Sequence, residues 1–309
     1  MGGPGTKTMS RPTVVLIAKR TSWTNYVERA QDPLVLDLLR RQDPTVARMK
    51  AAHDAHENAL RAVEEALDQA RVDVRAVHDF DLPFSTEGAA LVLTVGGDGT
   101  LLGASHQIAG CPVLGVNSAP GISVGFFCGA DAGSIARLLP LALAGGLPGV
   151  VLSRMEVLCN DRSISGRVLN EALLCHACPA ATSRYILEVS GLREEQRSSG
   201  LWVGPAAGST AAMRSAGGQV LPLDSDDLQV VVREPYMPAE GPYQLTRRVL
   251  PPGSSLRVRS KMYDGVLFLD GAGRRSSFTL GDVLEFRQGS EPLALLGLGA
   301  DRHRASATG

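Results

Sequence analysis

The sequence predicts an α/β domain with a Rossmann-like, doubly wound parallel sheet, followed by a β-rich, β-sandwich-like (all-β) domain. Three observations predict it. Through the first half, short apolar runs without polar alternation, the pattern of strands buried on both faces, alternate with helix-like stretches. After Val150 the texture changes to short strand-like pieces separated by Gly, Pro, Ser and Asp. Between the two, Leu138 to Leu152 is broken by Pro140, Gly145, Gly146 and Pro148, which places the boundary near Gly145–Gly149. The expected division is a disordered tail at 1–10, an α/β domain at 11–148, a β-rich domain at 149–296 and a tail at 297–309.

The elements follow in order. "TVVLIAK" (Thr13–Lys19) is a β-branched run and the first strand. From Val46 to Ala70, apolar positions such as Met49, Ala59, Val63, Ala66 and Leu67 recur at helical spacing with charges between them. "VDVRAV" (Val72–Val77), "ALVLTV" (Ala90–Val95) and "PVLGV" (Pro112–Val116) are the next strands, with a helix expected from Gly99 to Ala109. Beyond Val150, "RVLNEALLC", "RYILEVSG", "GLWVG", "LQVVVRE", "SLRVRSK", "GVLFLDG" and "DVLEFRQG" read as antiparallel strands.

Bulk properties exclude several function classes. A net charge of −1 supplies no basic field, so neither a nucleic-acid partner nor an anionic membrane partner is expected. No uninterrupted apolar segment suits a membrane span, and "MGGPGTKTMS" has no apolar signal core. The five cysteines (Cys111, Cys128, Cys159, Cys175 and Cys178) are odd in number and dispersed, which fits reduced thiols and a cytoplasmic location.

The chemistry-bearing stretches begin with "GGDGT" (Gly96–Thr100), placed after the third strand and opening a helix. Ligands of open α/β sheets sit at the carboxyl ends of strands, and helix N-terminal amides suit phosphate. Gly96, Gly97 and Gly99 would let phosphates approach the backbone; the same spacing also suits a structural turn with Asp98 as a helix cap. Spacing alone leaves both readings open. No G-x-x-x-x-G-K-[ST] occurs, and no G-x-G-x-x-G opens the first helix. In "VLNEALL", Asn170 and Glu171 interrupt an apolar run, either at a strand edge or as hydrogen-bond partners of ribose hydroxyls. "SSGLWVGPAAGSTAAMRSAGG" (Ser198–Gly218) is rich enough in small residues to close over a flat ligand; a linker is the alternative, against which its apolar steps count. "CHAC" (Cys175–Cys178) lacks a second ligand pair and reads as packed thiols, and "HDAH" (His53–His56) reads as a solvated helix face, so no metal site is expected.

Together these stretches resemble the ATP-NAD kinase family, over roughly Thr13 to Leu296. The order carries the resemblance: "GGDGTLL", "GVNSAPGISVGFF" (Gly115–Phe127), "LNEALL", "GSTAA" with "SAGG", then "VREP" (Val232–Pro235). Departures are Ser199–Gly200 for the family's Asp-Gly, Pro205–Ala206–Ala207–Gly208 for its Thr-Pro-Thr/Ser-Gly, and Ala212 for its Tyr. "SSGL", "VREP" and the helical insert near Arg40–Ala70 are similar to the mitochondrial-type branch of animals. The resemblance implies ATP- and Mg2+-dependent phosphorylation of the adenosine-ribose 2′-hydroxyl of NAD+ to NADP+. Asp98 matches the catalytic aspartate; Gly96, Gly97, Gly99 and Thr100 the ATP-phosphate loop; Asn170, Glu171, Ser199, Thr210, Ala211 and Ser215 the NAD-binding positions. A homodimer or homotetramer is implied as well. Two alternatives remain: a nucleotide-binding regulator that has lost catalysis, and a lipid kinase of the diacylglycerol or sphingoid type, whose G-T-x-N-D-F-like run is absent here.

Overall fold

A computed structural model of the chain describes residues 11–78, 80–239 and 241–299. The expected tail at 1–10 and all but the start of that at 297–309 lie outside the described residues. The described residues form two compact units, one within 11–101 and 111–148, the other within 102–110 and 149–299.

The first unit is built on five parallel strands: β1 (Thr13–Ala18), β2 (Asp73–Val77), β3 (Ala89–Gly96), β4 (Val113–Asn117) and β5 (Cys128–Asp131). They lie side by side in the order β2-β1-β3-β4-β5. Val14 to Ile17 and Leu91 to Val95 are buried, as their unbroken apolar runs require, whereas the edge strand β2 is largely exposed. Helix α1 (Pro33–Arg40) starts where the Asp32 carboxylate accepts the Leu34 and Val35 amides and Pro33 presets the first turn. Helix α2 (Met49–Ala70) precedes β2, and helix α3 (Asp98–Ser105) follows β3. Helix α4 (Ile135–Leu143) packs on α2, and both pack on β3. The buried stripe of α2 is His53, His56, Ala59, Val63, Ala66 and Leu67.

That stripe corrects the reading of "HDAH" as a solvated face. His53 stacks on Trp23 with ring centroids 6.1 Å apart and meets Thr21 Oγ1 at 3.0 Å, while Lys50 lies over the Trp23 ring. His56 is 2% exposed, and burial pulls its pKa down to about 4. Their spacing is that of the buried alanines and valine, so both rings serve as packing groups.

The second unit holds two six-stranded antiparallel sheets. One is made of β7 (Met155–Cys159), β8 (Arg162–Val168), β10 (Ser183–Val189), β11 (Leu192–Ser198), β15 (Ser255–Ser260) and β18 (Val283–Gln288). Its order is β11-β10-β15-β18-β7-β8. The other is made of β9 (Ala172–His176), β12 (Leu201–Pro205), β13 (Leu228–Val232), β14 (Arg247–Leu250), β16 (Gly265–Leu269) and β17 (Arg274–Phe278). Its order is β14-β13-β12-β9-β16-β17. Both sheets contribute to one apolar core, where Val157, Tyr185, Leu187, Val203, Leu267 and Phe286 are fully buried. A further antiparallel pair joins β6 (Gly149–Leu152) to β19 (Leu293–Leu296).

Residues 102–110, which the sequence places in the α/β domain, belong to this second unit. The reason is Arg154, a fully buried side chain whose guanidinium donates to the carbonyls of Ser105, Ile108, Glu291 and Pro292. Burial lowers its pKa to about 10, which leaves it a cation at neutral pH. No described helix is long and apolar enough to cross a membrane.

Candidate active site

The first group of site residues lies at the carboxyl end of β3. In the order β2-β1-β3, the chain reverses its direction of winding between β1 and β3, the place where open sheets leave a crevice. Helix α3 begins there, with Asp98 as its first residue. The Asp98 carboxylate bonds to a distant segment of the chain. Its Oδ2 accepts the Phe126 amide at 2.9 Å and its Oδ1 the Phe127 amide at 2.8 Å. Each carboxylate oxygen carries two lone-pair directions, so each keeps one for another donor.

Two of the glycines around it lie where the chain is closely approached. A side-chain carbon added at Gly96 would lie 2.1 Å from Thr100 Oγ1, and one at Gly97 would lie 2.5 Å from Ser123 Oγ. Gly99 is exposed and meets nothing within 4 Å, leaving the first turn of the helix bare. The "GVNSAPGISVGFF" stretch supplies the other wall. Asn117 accepts the Ala119 amide and donates to the Ser123 carbonyl, while Gly125, at φ +59°, lets the chain pass over the Asn117 side chain. The motif is plain in the sequence, but the role of its end is not: the Phe126 and Phe127 amides carry no side-chain signal that could disclose it.

The second group lies in the second unit, in the break between β8 and β9. Asn170 and Glu171 are therefore in a turn, not at the edge of a continuous strand. They are 9% and 8% exposed, and Asn170 Nδ2 donates to Glu171 Oε2. Burial, and secondarily the charge of Asp270, push the Glu171 pKa up to about 7. On one side of this turn, the Asp270 carboxylate accepts the backbone amides of Leu169 (2.9 Å), Asn170 (2.6 Å) and Glu171 (3.1 Å). Gly204 and Gly208 pack on the Asn170 carbonyl; an added side-chain carbon would lie 2.4 Å and 1.6 Å from that oxygen.

Gly208 belongs to a 3-10 turn, Ala206–Thr210, in which Thr210 is half-buried and Ser209 is fully buried. Ala211 is half-buried and leads into the short helix α5 (Ala212–Ser215), where Ser215 is exposed. Ser199 is half-buried and donates its amide to the Arg233 carbonyl at 3.0 Å. Gly200 follows at φ +114°, a conformation that suits glycine, with the Leu174 carbonyl against it. The Arg233 guanidinium lies 5.6 Å from the Trp202 ring centroid, a packing role for a residue the sequence left unassigned. Asp98 with its glycines and Thr100 is thus gathered in one unit, and Asn170, Glu171 and the 199–215 positions in the other.

Residues 17–145 match the profile of the ATP-NAD kinase N-terminal domain. The chain is 34% identical over 252 residues to a "Probable NADH kinase" of Oryza sativa subsp. japonica, covering 74% of this chain and 78% of that protein. It is 35% identical over 262 residues to the "NADH kinase" of Arabidopsis thaliana, covering 74% and 80%. The chain belongs to the ATP-NAD kinase family.

Solved structures of similar fold carry related names. An NAD kinase from Archaeoglobus fulgidus in complex with ATP aligns with a TM-score of 0.66 at 20% identity, covering 94% of this chain and 96% of that one. Yeast NADH kinase complexed with NADH aligns with a TM-score of 0.71 at 16% identity, covering 97% and 88%. At the departures of this ATP-NAD kinase family member, Ala206, Ala207 and Gly208 are all buried, so the substituted run keeps a compact turn against Asn170.

Proposed function

We propose that the protein is a NAD kinase that transfers the γ-phosphoryl group of ATP to the adenosine-ribose 2′-hydroxyl of NAD+. The observation that carries this reading is the Asp98 carboxylate, aimed by the Phe126 and Phe127 amides beside a glycine-bare helix start. In it, the lone pair left on one Asp98 oxygen takes the hydroxyl proton as the new O–P bond forms. The bond from the γ-phosphorus to the bridging oxygen breaks, and ADP leaves. Gly96, Gly97 and Gly99 hold the phosphates through backbone amides, while Thr100, whose own amide donates to the Gly97 carbonyl at 3.0 Å, closes the loop behind them. Asn170 and Glu171 hydrogen-bond the ribose, and Ser199, Thr210, Ala211 and Ser215 pack on the dinucleotide.

Mg2+ fits this arrangement as an ion brought by the triphosphate. Asp98 is the only carboxylate of the Gly96–Thr100 loop, and both of its oxygens already accept amides. When bound, the ion neutralises phosphate charge. The two plant relatives bear the name NADH kinase, so NADH is the acceptor to set beside NAD+. A homodimer or homotetramer in the cytoplasm completes the proposal; light scattering of the purified protein tests the assembly.

The test of the reaction is formation of NADP+ or NADPH from ATP, Mg2+ and either dinucleotide, with the Asp98→Asn variant alongside. Loss of the base is expected to lower kcat by about 10²–10⁴-fold, with dinucleotide affinity nearly unchanged. A variant that turns over at the parent rate would remove Asp98 from the chemistry. Binding without turnover in both proteins would leave a dinucleotide-binding regulator.

A further inference from the structure

We propose that Asp270 and His106 form a positioning pair that sets the Asn170–Glu171 turn for the dinucleotide. The inference rests on the NAD(H) kinase reading and adds residues to its acceptor side. Three successive amides, those of Leu169, Asn170 and Glu171, converge on the one Asp270 carboxylate. Consecutive amides turned to one side make an anion-binding concavity, and here a side chain of the same chain fills it. Asp270 is itself tied to the turn, because its amide donates to the Glu171 carbonyl at 2.9 Å and its φ is +51°. With Gly204 and Gly208 closing on the Asn170 carbonyl, the backbone of the turn is held by two separate sets of contacts, and the directions of the Asn170 and Glu171 side chains follow.

His106 sets Asp270 in turn. Its Nε2 lies 2.8 Å from Asp270 Oδ2, with the two side chains 4% and 1% exposed. The other ring nitrogen, Nδ1, lies 3.2 Å from Ser165 Oγ, and Arg167 donates to the His106 carbonyl at 3.1 Å. The ring is thus held at Nδ1 and at its backbone, and Nε2 faces the carboxylate in close contact but outside hydrogen-bond alignment. Neither residue needs to touch the substrate; a shift of the carboxylate would move the amides, and with them the groups that meet the ribose.

The test separates positioning from general support of the fold. In His106→Leu the contact to Asp270 is lost while the carboxylate stays. The expected result is a KM for NAD+ and NADH raised about tenfold, with the KM for ATP and kcat within about twofold. His106→Gln, whose amide can reach the same oxygen, should restore most of the lost affinity. Asp270→Asn turns one acceptor into a donor facing the amides and should act in the same direction as His106→Leu. Calorimetric titration with NAD+ and NADH reads the same change without turnover.

A His106→Leu variant with a lower melting temperature but an unchanged dinucleotide KM and Kd would overturn the positioning role. So would equal losses in kcat for both substrates with no rescue by Gln. Should the wild type bind dinucleotide but not phosphorylate it, the kinase reading fails, and the binding titrations still decide the pair. A wild type that binds neither dinucleotide overturns both.

Discussion

Glu171 is a carboxyl group kept from water, and its titration near pH 7 has a definite sign. The unfolded chain releases this proton near the ordinary value of 4.5, whereas the folded protein holds it until about 7. Between those values the folded state binds the extra proton, so stability falls as pH rises through the window, by about 3 kcal/mol in all. Below pH 4.5 both states are protonated and the effect is absent. Glu171→Gln removes the buried charge. It should therefore melt higher than the wild type at pH 8, with the advantage vanishing at pH 4.5, while losing dinucleotide affinity. Equal melting differences at both pH values would show that Glu171 is not the group responsible. At this scale the sequence exposed Asn170, Glu171 and Asp98 as candidates, because each is a polar residue beside apolar or glycine neighbours. It did not expose Asp270, although a carboxylate ending the apolar run "GVLFL" was the available signal. Nor did it expose His106, whose partner lies far along the chain.

At the scale of elements, what was legible was what is buried on both faces. β1, β3 and β4 lie within a residue or two of their expected ranges, because continuous apolar runs permit little else. Polar edge strands are among those that passed unnoticed. β11, "LREEQRS", and β17, "RRSSF", complete their sheets through backbone hydrogen bonds while most of their side chains meet water. Charged edge strands resist pairing with other chains, and the same charges erase the strand pattern from the sequence. α4 was hidden by Pro140 within it. The 3-10 turn Ala206–Thr210 was legible as part of a stretch of small residues, but not its reason. Gly208 has to pass within contact of the Asn170 carbonyl. Gly208→Ala forces the two apart, and dinucleotide affinity is expected to fall about tenfold or more, with a lowered melting temperature. A variant with parent-like affinity would mean that the turn moves freely relative to Asn170.

At the scale of the molecule, the passage from parallel to antiparallel strands was readable without coordinates, because strands buried on both faces and strands buried on one leave different textures. What was not readable is the nine-residue stretch 102–110, which sits between strands of the first unit in sequence and packs with the second. Its membership depends on contacts to Arg154 and Asp270, and long-range hydrogen bonds leave no local pattern. The order of synthesis gives this a consequence. Ser105, His106 and Ile108 leave the ribosome well before the strands they serve, and they have to wait for them. A polypeptide of residues 149–309 made alone would bury a guanidinium and a carboxylate without these partners, so it should fail to melt cooperatively, and supplying 98–111 as a peptide in trans should restore a transition. If the fragment melts sharply by itself, the borrowed stretch is dispensable to folding. If it does not, the β-rich unit is assembled from two separated instalments of one message, and no single cut in the chain can divide the protein into two parts that each fold.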